Sequence, residues 1–305
     1  KVDEYAAWVK TLDYVEVSDS DLDNTTYESA EKMYLQNNTK GAISGFSSYV
    51  SKFPNGMHSL NANFYLAQLY YADKLENNAI PHYEYVVSKS RNEYTEQSLA
   101  RLTEIYIKKK DLTKAIPALK RLEIEADFPQ NVTFAQSNLM KAYYEQEDYS
   151  NAVIYAEKVL ANAKVDDRIK SDAQMIVARS AIKTNDEVKA KAAYATLQKI
   201  AKGELAAEAL YYDAYFKNKE NKFEESNTTV QKLTKDYSGY KYYGAKGLIV
   251  MAKNFYGLKD SFQATYILDS LIANFKEYPD VVEEAQKELT FIKTEEAKRN
   301  SSIQN

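Results

Sequence analysis

A triplet of side chains recurs seven times along this chain and constrains the fold more than any other feature. Each copy has a small residue, which we call its anchor, then a second residue four positions later and a large apolar or aromatic residue seven positions later; neighbouring anchors are 36 to 38 residues apart. These offsets put the three side chains on one face of an α-helix. The anchors are Ala42, Ala79, Ala115, Ala152, Ala190, Ser226 and Ala264, followed by Phe46, Tyr83, Leu119, Ala156, Tyr194, Val230 and Leu268, and then by Tyr49, Val86, Leu122, Val159, Leu197, Leu233 and Leu271. Such a period predicts stacked helical units.

A second column of mostly small residues lies twelve positions before the anchors. Its members are Ala30, Ala67, Thr103, Met140, Ala178, Ala214 and Ala252. Because small side chains let two helices approach closely, each unit is predicted to be a helical hairpin. The whole chain has only 8 Gly and 5 Pro among 305 residues. That is too few for the many tight turns of a β-sandwich or barrel, so we expect an all-α protein.

Residues that begin or interrupt helices accompany the second helix of each pair. Short side chains with a terminal oxygen are expected to cap these helices; they are Asn78, Asp111, Asp148, Asp186 and Asp260. Pro81 and Pro117 follow within the helical pattern. Since proline fits best in a first turn, those two helices are expected to start late or to bend.

The column spacing resembles the tetratricopeptide repeat family from about Thr25 to Phe275. Each unit starts with a small residue, and an aromatic residue often follows three positions later. Counted from that small residue, the anchor lies 12 positions later, and the two columns that follow the anchor lie 16 and 19 positions later. The family implies a right-handed α-solenoid of about seven helical hairpins with helical caps. A narrower stretch, Phe53-Pro54-Asn55-Gly56 through Asn63 to Tyr70, is similar to bacterial envelope proteins of the Tol-Pal-associated and BamD-like kind. That similarity implies a periplasmic or outer-membrane-associated protein.

The predicted organisation places caps around the repeats. Residues 1–24 form an N-terminal capping segment with Trp8, ending in the acidic link Asp19 to Asn24, with a helix starting at Thr25 and Thr26. The repeats span residues 25–275, with approximate boundaries at 25–57, 58–93, 94–130, 131–165, 166–203, 204–239 and 240–278. Val282, Ala285, Leu289 and Ile292 share one side of a capping helix at 279–299, and residues 300–305 are expected to be a disordered tail.

Several kinds of chemistry have no support in the sequence. There is no cysteine, only two histidines, His58 and His82, and no phosphate-binding loop, zinc-protease motif or nucleophile elbow. Alternating Asp19, Asp21 and Asp23 resemble the start of a calcium loop, but that loop needs a glycine at its sixth position and a glutamate at its twelfth, which are absent. We therefore predict no enzyme activity, no cofactor and no metal.

Charge and hydropathy restrict the partners. The formal net charge is −4, which disfavours nucleic-acid binding. No apolar run approaches the ~18 residues of a membrane span. Because the chain begins at Lys1, we expect a processed or truncated product from which any targeting segment is missing. Another protein or a peptide segment is the predicted partner.

A set of tyrosines and cations is expected to line the concave groove of the stack. These positions lie eight and eleven residues before the anchors, on the first helix of each pair; the predicted binding residues are Tyr34, Tyr71, Lys141, Tyr144, Arg179, Tyr215, Lys253 and Tyr256. Tyrosine offers a rigid apolar ring with one polar atom, which suits contact with a peptide. The cations are expected to favour acidic segments in the later half.

The predicted function is a non-catalytic protein-interaction scaffold. The lysine and asparagine clamp with which chaperone-binding repeats hold a C-terminal carboxylate is absent, so Hsp70 and Hsp90 tails are not expected partners. Two alternatives stay open. One is a SusD-like glycan-binding protein, although a single tryptophan, Trp8, argues against a sugar site; the other is a helical-toroid enzyme, which would need paired acids at one mouth.

Overall fold

Helices account for all the regular structure in the part of the chain that the structure describes. The computed structural model of the protein describes Glu4, Ala7, Trp8 and residues 19–303. The helices are α1 (Asp19–Leu35), α2 (Thr39–Lys52), α3 (Ser59–Ala72), α4 (Glu76–Ser88), α5 (Thr95–Lys108), α6 (Leu112–Glu125), α7 (Pro129–Glu145), α8 (Tyr149–Ala161), α9 (Asp167–Lys183), α10 (Glu187–Ile200), α11 (Gly203–Lys219), α12 (Phe223–Asp236), α13 (Lys241–Gly257), α14 (Ser261–Asn274) and α15 (Pro279–Ile303). The predicted all-α fold is confirmed.

Six helix pairs form hairpins, namely α1 and α2, α3 and α4, α5 and α6, α9 and α10, α11 and α12, and α13 and α14; a tight turn of the same kind joins the pair α7 and α8, and α15 follows alone. We call the odd-numbered members of these pairs the first helices and the even-numbered members the second helices. The chain divides into two compact units, Lys1–Ala142 and Tyr143–Asn305. Helices α1 to α6 belong to the first unit, α8 to α15 belong to the second, and the boundary falls within α7.

The core consists of the repeated columns. Every member of the anchor column, of the columns four and seven positions after it and of the column twelve positions before it is at most 1% exposed. The hydrophobic effect therefore acts on the same four positions in each hairpin, which explains why the pattern recurs. The predicted helical-hairpin repeat is confirmed at these positions.

Each hairpin turns through one residue in the left-handed backbone conformation. Seven residues, each five positions before its anchor, have φ between 56° and 69°: Asn37, Lys74, Lys110, Glu147, Asn185, Asn221 and Lys259. The following amide donates to the carbonyl five residues earlier, at 2.8 to 2.9 Å, as in a Schellman motif. None of the seven is a glycine, which is why the low glycine content is compatible with seven tight turns.

The caps of the second helices are largely those expected. Asp111, Asp148, Asp186 and Asp260 each accept a hydrogen bond from the backbone N–H three residues later. The prediction for Asn78 is wrong, because α4 begins at Glu76 and Asn78 lies inside it. The four confirmed caps directly follow left-handed residues, whereas Asn78 lies four positions after Lys74.

The expected late start at the two internal prolines is also wrong. The helices α4 and α6 begin at Glu76 and Leu112, five residues before Pro81 and Pro117. The left-handed residues at the turns determine where these helices begin, so each proline lies in the second turn, where it removes the hydrogen bond to the carbonyl four residues earlier.

The acidic segment at the N-terminal end is helical rather than a link. Helix α1 begins at Asp19, and the hydroxyls of Thr25 and Thr26 donate to carbonyls one turn earlier, so these threonines do not start a helix. Asp23 is buried: its carboxylate accepts from the Tyr49 hydroxyl and from the Met57 amide at 2.9 Å. This contact holds the start of α1 against the first repeat. The rest of the expected cap, residues 1–18, lies outside the described residues except for Glu4, Ala7 and Trp8.

Helix α15 packs against α13 and α14 through Val281, Ala285 and Ile292, which are fully buried, with Leu289 partly buried. It continues to Ile303, past residue 299, where the capping helix was expected to end. No proline or glycine follows Pro279, so nothing in the sequence interrupts the helix. Residues 304 and 305 lie outside the described residues.

Candidate partner-binding faces

The eight predicted binding residues all belong to first helices, and seven of them are partly buried while Lys141 is exposed. We call the surface formed by these helices in one unit its first-helix face. Tyr34, Tyr71 and Lys141 lie on the first-helix face of the unit that ends at Ala142. The first-helix face of the second unit carries the other five, Tyr144, Arg179, Tyr215, Lys253 and Tyr256.

Tyr34 packs against two aromatic rings of neighbouring helices. Its ring centroid lies 4.9 Å from that of Tyr65 on α3 and 6.3 Å from that of Phe46 on α2. Ring contacts at these separations are favourable and restrict the side chain. One partly exposed tyrosine is thus held between the first two repeats.

Tyr71 is held by a charged pair from the next repeat. Its hydroxyl donates to Glu104 at 2.7 Å, while Arg101 lies over its ring at 4.7 Å and bonds to Glu104 at 2.9 Å. Burial, followed by the contact with Glu104, raises the pKa of Tyr71. Arg101 was not among the predicted residues, because it lies outside the two columns that the sequence pattern selects.

Arg179 is already paired. Its Nε and Nη2 atoms donate to the two carboxylate oxygens of Glu208 at 2.9 and 2.5 Å, and Tyr194 and Tyr243 donate to the same carboxylate at 2.8 and 2.9 Å. Burial alone would raise the pKa of Glu208, but these hydrogen bonds outweigh it and hold that pKa below its ordinary value. The positive charge of Arg179 therefore serves the cohesion of the second unit.

Tyr144 and Tyr215 have mainly aromatic neighbours. The Tyr144 ring meets Tyr149 edge-on at 5.8 Å. Tyr215 contacts Tyr212 at 6.1 Å and Phe216 at 5.4 Å, both edge-on. Both tyrosines keep part of their surface accessible. These two tyrosines are therefore both fixed by their neighbours and partly accessible, as a rigid contact surface requires, and in this they are better suited to binding than Arg179.

Helix α15 contacts the last two predicted residues. Lys253 Nζ lies 3.8 Å from Glu284 and 3.5 Å from Glu288, and the ring of Tyr256 meets that of Phe291 edge-on at 6.1 Å. Because Lys253 and Arg179 both face carboxylates of the chain itself, these two cations give no basis for the expected preference for acidic segments.

Comparison with known proteins yields structural similarity alone. No protein-family model matches the sequence, and no curated protein matches it. The C-terminal part of a TPR repeat-containing protein from Cytophaga hutchinsonii aligns over 85% of this chain and 98% of its own, with a TM-score of 0.52 and 15% identity. The structure of Naa15/Naa10 bound to HypK-THB aligns over 88% of this chain and 39% of its own, with a TM-score of 0.50 and 16% identity. A tetratricopeptide repeat protein from Parabacteroides merdae covers 88% of this chain and all of its own, at a TM-score of 0.41 and 12% identity.

The chain has the tetratricopeptide repeat fold.

The sixth tetratricopeptide repeat departs from the core pattern, and its exceptional residues cluster together. Its anchor, Ser226, donates to the Ala214 carbonyl at 2.8 Å and accepts from the Asn254 amide at 2.8 Å. Asn254 also bonds to Asn227 at 2.8 Å and to Asn218 at 2.7 Å. A buried polar group costs little when it is fully hydrogen-bonded, so this polar cluster replaces apolar contacts without an unpaired group among these atoms.

Both histidines of the tetratricopeptide repeats have structural partners. His58 lies against the ring of Tyr27 at 4.2 Å and bonds to Asn24 at 2.7 Å, and His82 bonds to Asn63 at 2.8 Å. Burial lowers the pKa of His82. Among the described residues there is no group of three or more His, Asp or Glu side chains that could hold a metal ion. None of the helices in that part of the chain is both long and apolar enough to cross a membrane.

Proposed function

We propose that the protein is a non-catalytic scaffold that binds a segment of a partner protein on its first-helix faces. One observation carries the proposal: tyrosines on these faces keep accessible surface although neighbouring rings and hydrogen bonds fix them, and the core columns are complete without them. Tyr34, Tyr71, Tyr144 and Tyr215 are such residues. A rigid aromatic side chain loses little conformational entropy on binding, so its contact area is converted efficiently into affinity.

The fold supports the same proposal. Stacked helical repeats present extended surfaces that many proteins use for binding. The similar structure of Naa15/Naa10 bound to HypK-THB is a protein complex. The proposal does not include an acidic partner, because Arg179 and Lys253 are paired within the chain.

A display selection with random short peptides on the immobilised protein tests this function. We expect peptides to be selected, and Tyr144→Ala to weaken a selected peptide about tenfold, or about 1.4 kcal/mol, by fluorescence anisotropy. Tyr144→Phe keeps the ring and is expected to keep the affinity. Lys253→Ala is expected to weaken binding less and to cost at most about 1 kcal/mol of stability, since its ion pairs are partly exposed.

Matched controls lie on second helices. Phe262 on α14 and Lys235 on α12 are exposed and outside the first-helix faces. Phe262→Ala and Lys235→Ala should leave the affinity unchanged. Equal losses in the control and test variants, or a Tyr144→Ala protein that melts at a much lower temperature, would count against the proposal.

We also propose that the protein works in the bacterial cell envelope. The support is the similarity of the stretch from Phe53 to Tyr70 to repeats of envelope proteins. Fractionation of the source cells, followed by immunoblotting, should recover the protein with the periplasm or the outer membrane. Recovery with cytosolic markers would contradict this location.

A further inference from the structure

A cavity of about 350 Å³ lies along α5 and the start of α7, within the first unit. Its lining consists of Glu93, Glu96, Gln97, Ala100, Arg101, Glu104, Phe128 and Asn131. From Glu96 to Glu104 the helix rises roughly 12 Å, about the length of three or four extended residues. The volume is at the lower end of the roughly 300–1,000 Å³ typical of ligand pockets, so it suits one long side chain and its backbone.

The charge of this cavity is negative. Three carboxylates line it, against one guanidinium. Arg101 is bound to Glu104 at 2.9 Å, so that pair is balanced. The charges of Glu93 and Glu96 are left without a cation in the lining, which gives the cavity an excess of two negative charges and favours a cationic occupant.

Glu96 and Phe128 give this cavity a defined geometry and an exposed apolar surface. The carboxylate of Glu96 accepts from the amides of Asp127 and Phe128 at 2.9 and 3.2 Å and from the side chain of Asn131 at 2.7 Å. These bonds fix the corner that leads into α7. Phe128 is nevertheless 58% exposed, so more than half of this aromatic residue is accessible beside the cavity.

We propose that this cavity binds a lysine or arginine side chain of the partner segment, an inference that rests on the proposed function. The aliphatic stem of the basic residue packs on the ring of Phe128, and its charge is balanced by Glu93 and Glu96. Long basic side chains combine an apolar stem and a cationic end in this way. A divalent metal is a poorer candidate, since no metal-holding group exists among the described residues.

The selection with random peptides, repeated on four variants, tests this inference. Glu93→Lys reverses an exposed charge of the cavity, and Phe128→Ala removes its exposed ring. Glu224→Lys on α12 and Phe262→Ala on α14 are matched controls, because both residues are exposed on second helices and neither lines the cavity. We expect one lysine or arginine position to be enriched with the unaltered protein and both controls. The enrichment should be lost with Phe128→Ala and replaced by acidic residues with Glu93→Lys.

Affinities then measure the contact. One selected peptide and its analogue with glutamine in place of the basic residue are compared by fluorescence anisotropy. The analogue should bind the unaltered protein about tenfold more weakly, and the difference should vanish with Glu93→Lys.

Different outcomes separate the two proposals. In one outcome, the selected peptides require Tyr144 for binding but show no enriched basic residue, or keep that enrichment with both cavity variants. Either result contradicts the proposed role of the cavity and leaves the scaffold function standing. In another outcome, the enrichment of a basic residue depends on Glu93 and Phe128, but the affinity of the peptides does not change with Tyr144→Ala. This outcome supports the cavity and contradicts the role of the first-helix tyrosines in binding. A selection that yields no peptide counts against both.

Discussion

Arg179 and Glu208 join the first helices of two consecutive repeats by a bidentate ion pair, with Nε to Oε1 at 2.9 Å and Nη2 to Oε2 at 2.5 Å. The carboxylate side is almost fully buried, whereas the Arg179 side chain keeps 35% of its surface exposed. Arg179, which the sequence predicts to contact a partner, therefore also links two consecutive repeats.

Removal of Arg179 should destabilise the second unit. Breaking a fully buried ion pair costs about 3–5 kcal/mol, because the remaining charge is left without its partner. Since Arg179 is partly exposed, we expect about 2–4 kcal/mol for Arg179→Ala in urea-induced unfolding followed by circular dichroism. The double variant Arg179→Leu with Glu208→Leu should recover only part of the loss, because it leaves the hydroxyls of Tyr194 and Tyr243 without their acceptor. Lys108→Ala, which breaks the exposed pair with Glu76, should cost much less, because solvent screens that pair; equal costs at the two sites would contradict the assignment.

Ala67 tests the closeness of the helix pairs. Its side chain is fully buried on α3, the first helix of the second hairpin. Ala67→Leu should lower the free energy of unfolding by about 1–3 kcal/mol, because the extra carbons have no space. Ala195→Leu, at an exposed position of α10, is the control and should be close to neutral. Equal melting temperatures for the two variants would show that this position tolerates added volume.

Glu147 offers a substitution that should stabilise. It adopts φ of 60° at the turn between α7 and α8. A left-handed conformation costs an L-residue about 1–2 kcal/mol, and glycine avoids that cost but loses more entropy on folding. We expect Glu147→Gly to stabilise by about 0.5–1 kcal/mol in thermal unfolding, and Asn185→Gly by less, since asparagine tolerates this conformation. Lys232→Gly, in the interior of α12, should instead destabilise by about 1 kcal/mol.

Alkaline pH should destabilise the chain through its tyrosines. Burial, followed by hydrogen bonds to carboxylates, raises the pKa of Tyr49 and of Tyr242 to about 12. The unfolded chain releases these protons at the ordinary pKa of about 10. Stability is therefore fully present below about pH 10 and falls as the pH rises towards 12. Urea midpoints measured across this range, together with the ultraviolet absorbance of phenolate, should show the fall; a constant midpoint would disprove the linkage.

The core could be predicted from the sequence because burial acts on side chains at a fixed spacing. Each hairpin buries the same columns, so a single period reveals positions as distant as Ala42 and Leu271. The turns could not be found this way. Lys74 and Glu147 have no sequence preference for a left-handed conformation, and the tight connection between two helices imposes it.

The candidate site was less accessible from the sequence. The first-helix tyrosines follow a column, so the sequence predicts which helices carry them, but it does not predict the partners of the cations. Arg179 pairs with Glu208, 29 positions away, and Lys253 with glutamates of α15, which lies beyond the repeats. No periodicity relates these residues, since each contact depends on how one helix packs beside another. The cavity at Phe128 joins parts of two repeats and left no signal that column analysis would detect.

The seven left-handed turns have a consequence for engineering. In a linear array, the opening of each repeat depends on its own stability and on its neighbours. Because each of these turns now carries a residue other than glycine, the local opening of any chosen hairpin can be made rarer by one exchange. That exchange changes neither the core columns nor the residues that we propose to contact a partner. The stability of the repeats could thus be adjusted one by one, so that local unfolding occurs mainly in a repeat that a designer leaves unchanged.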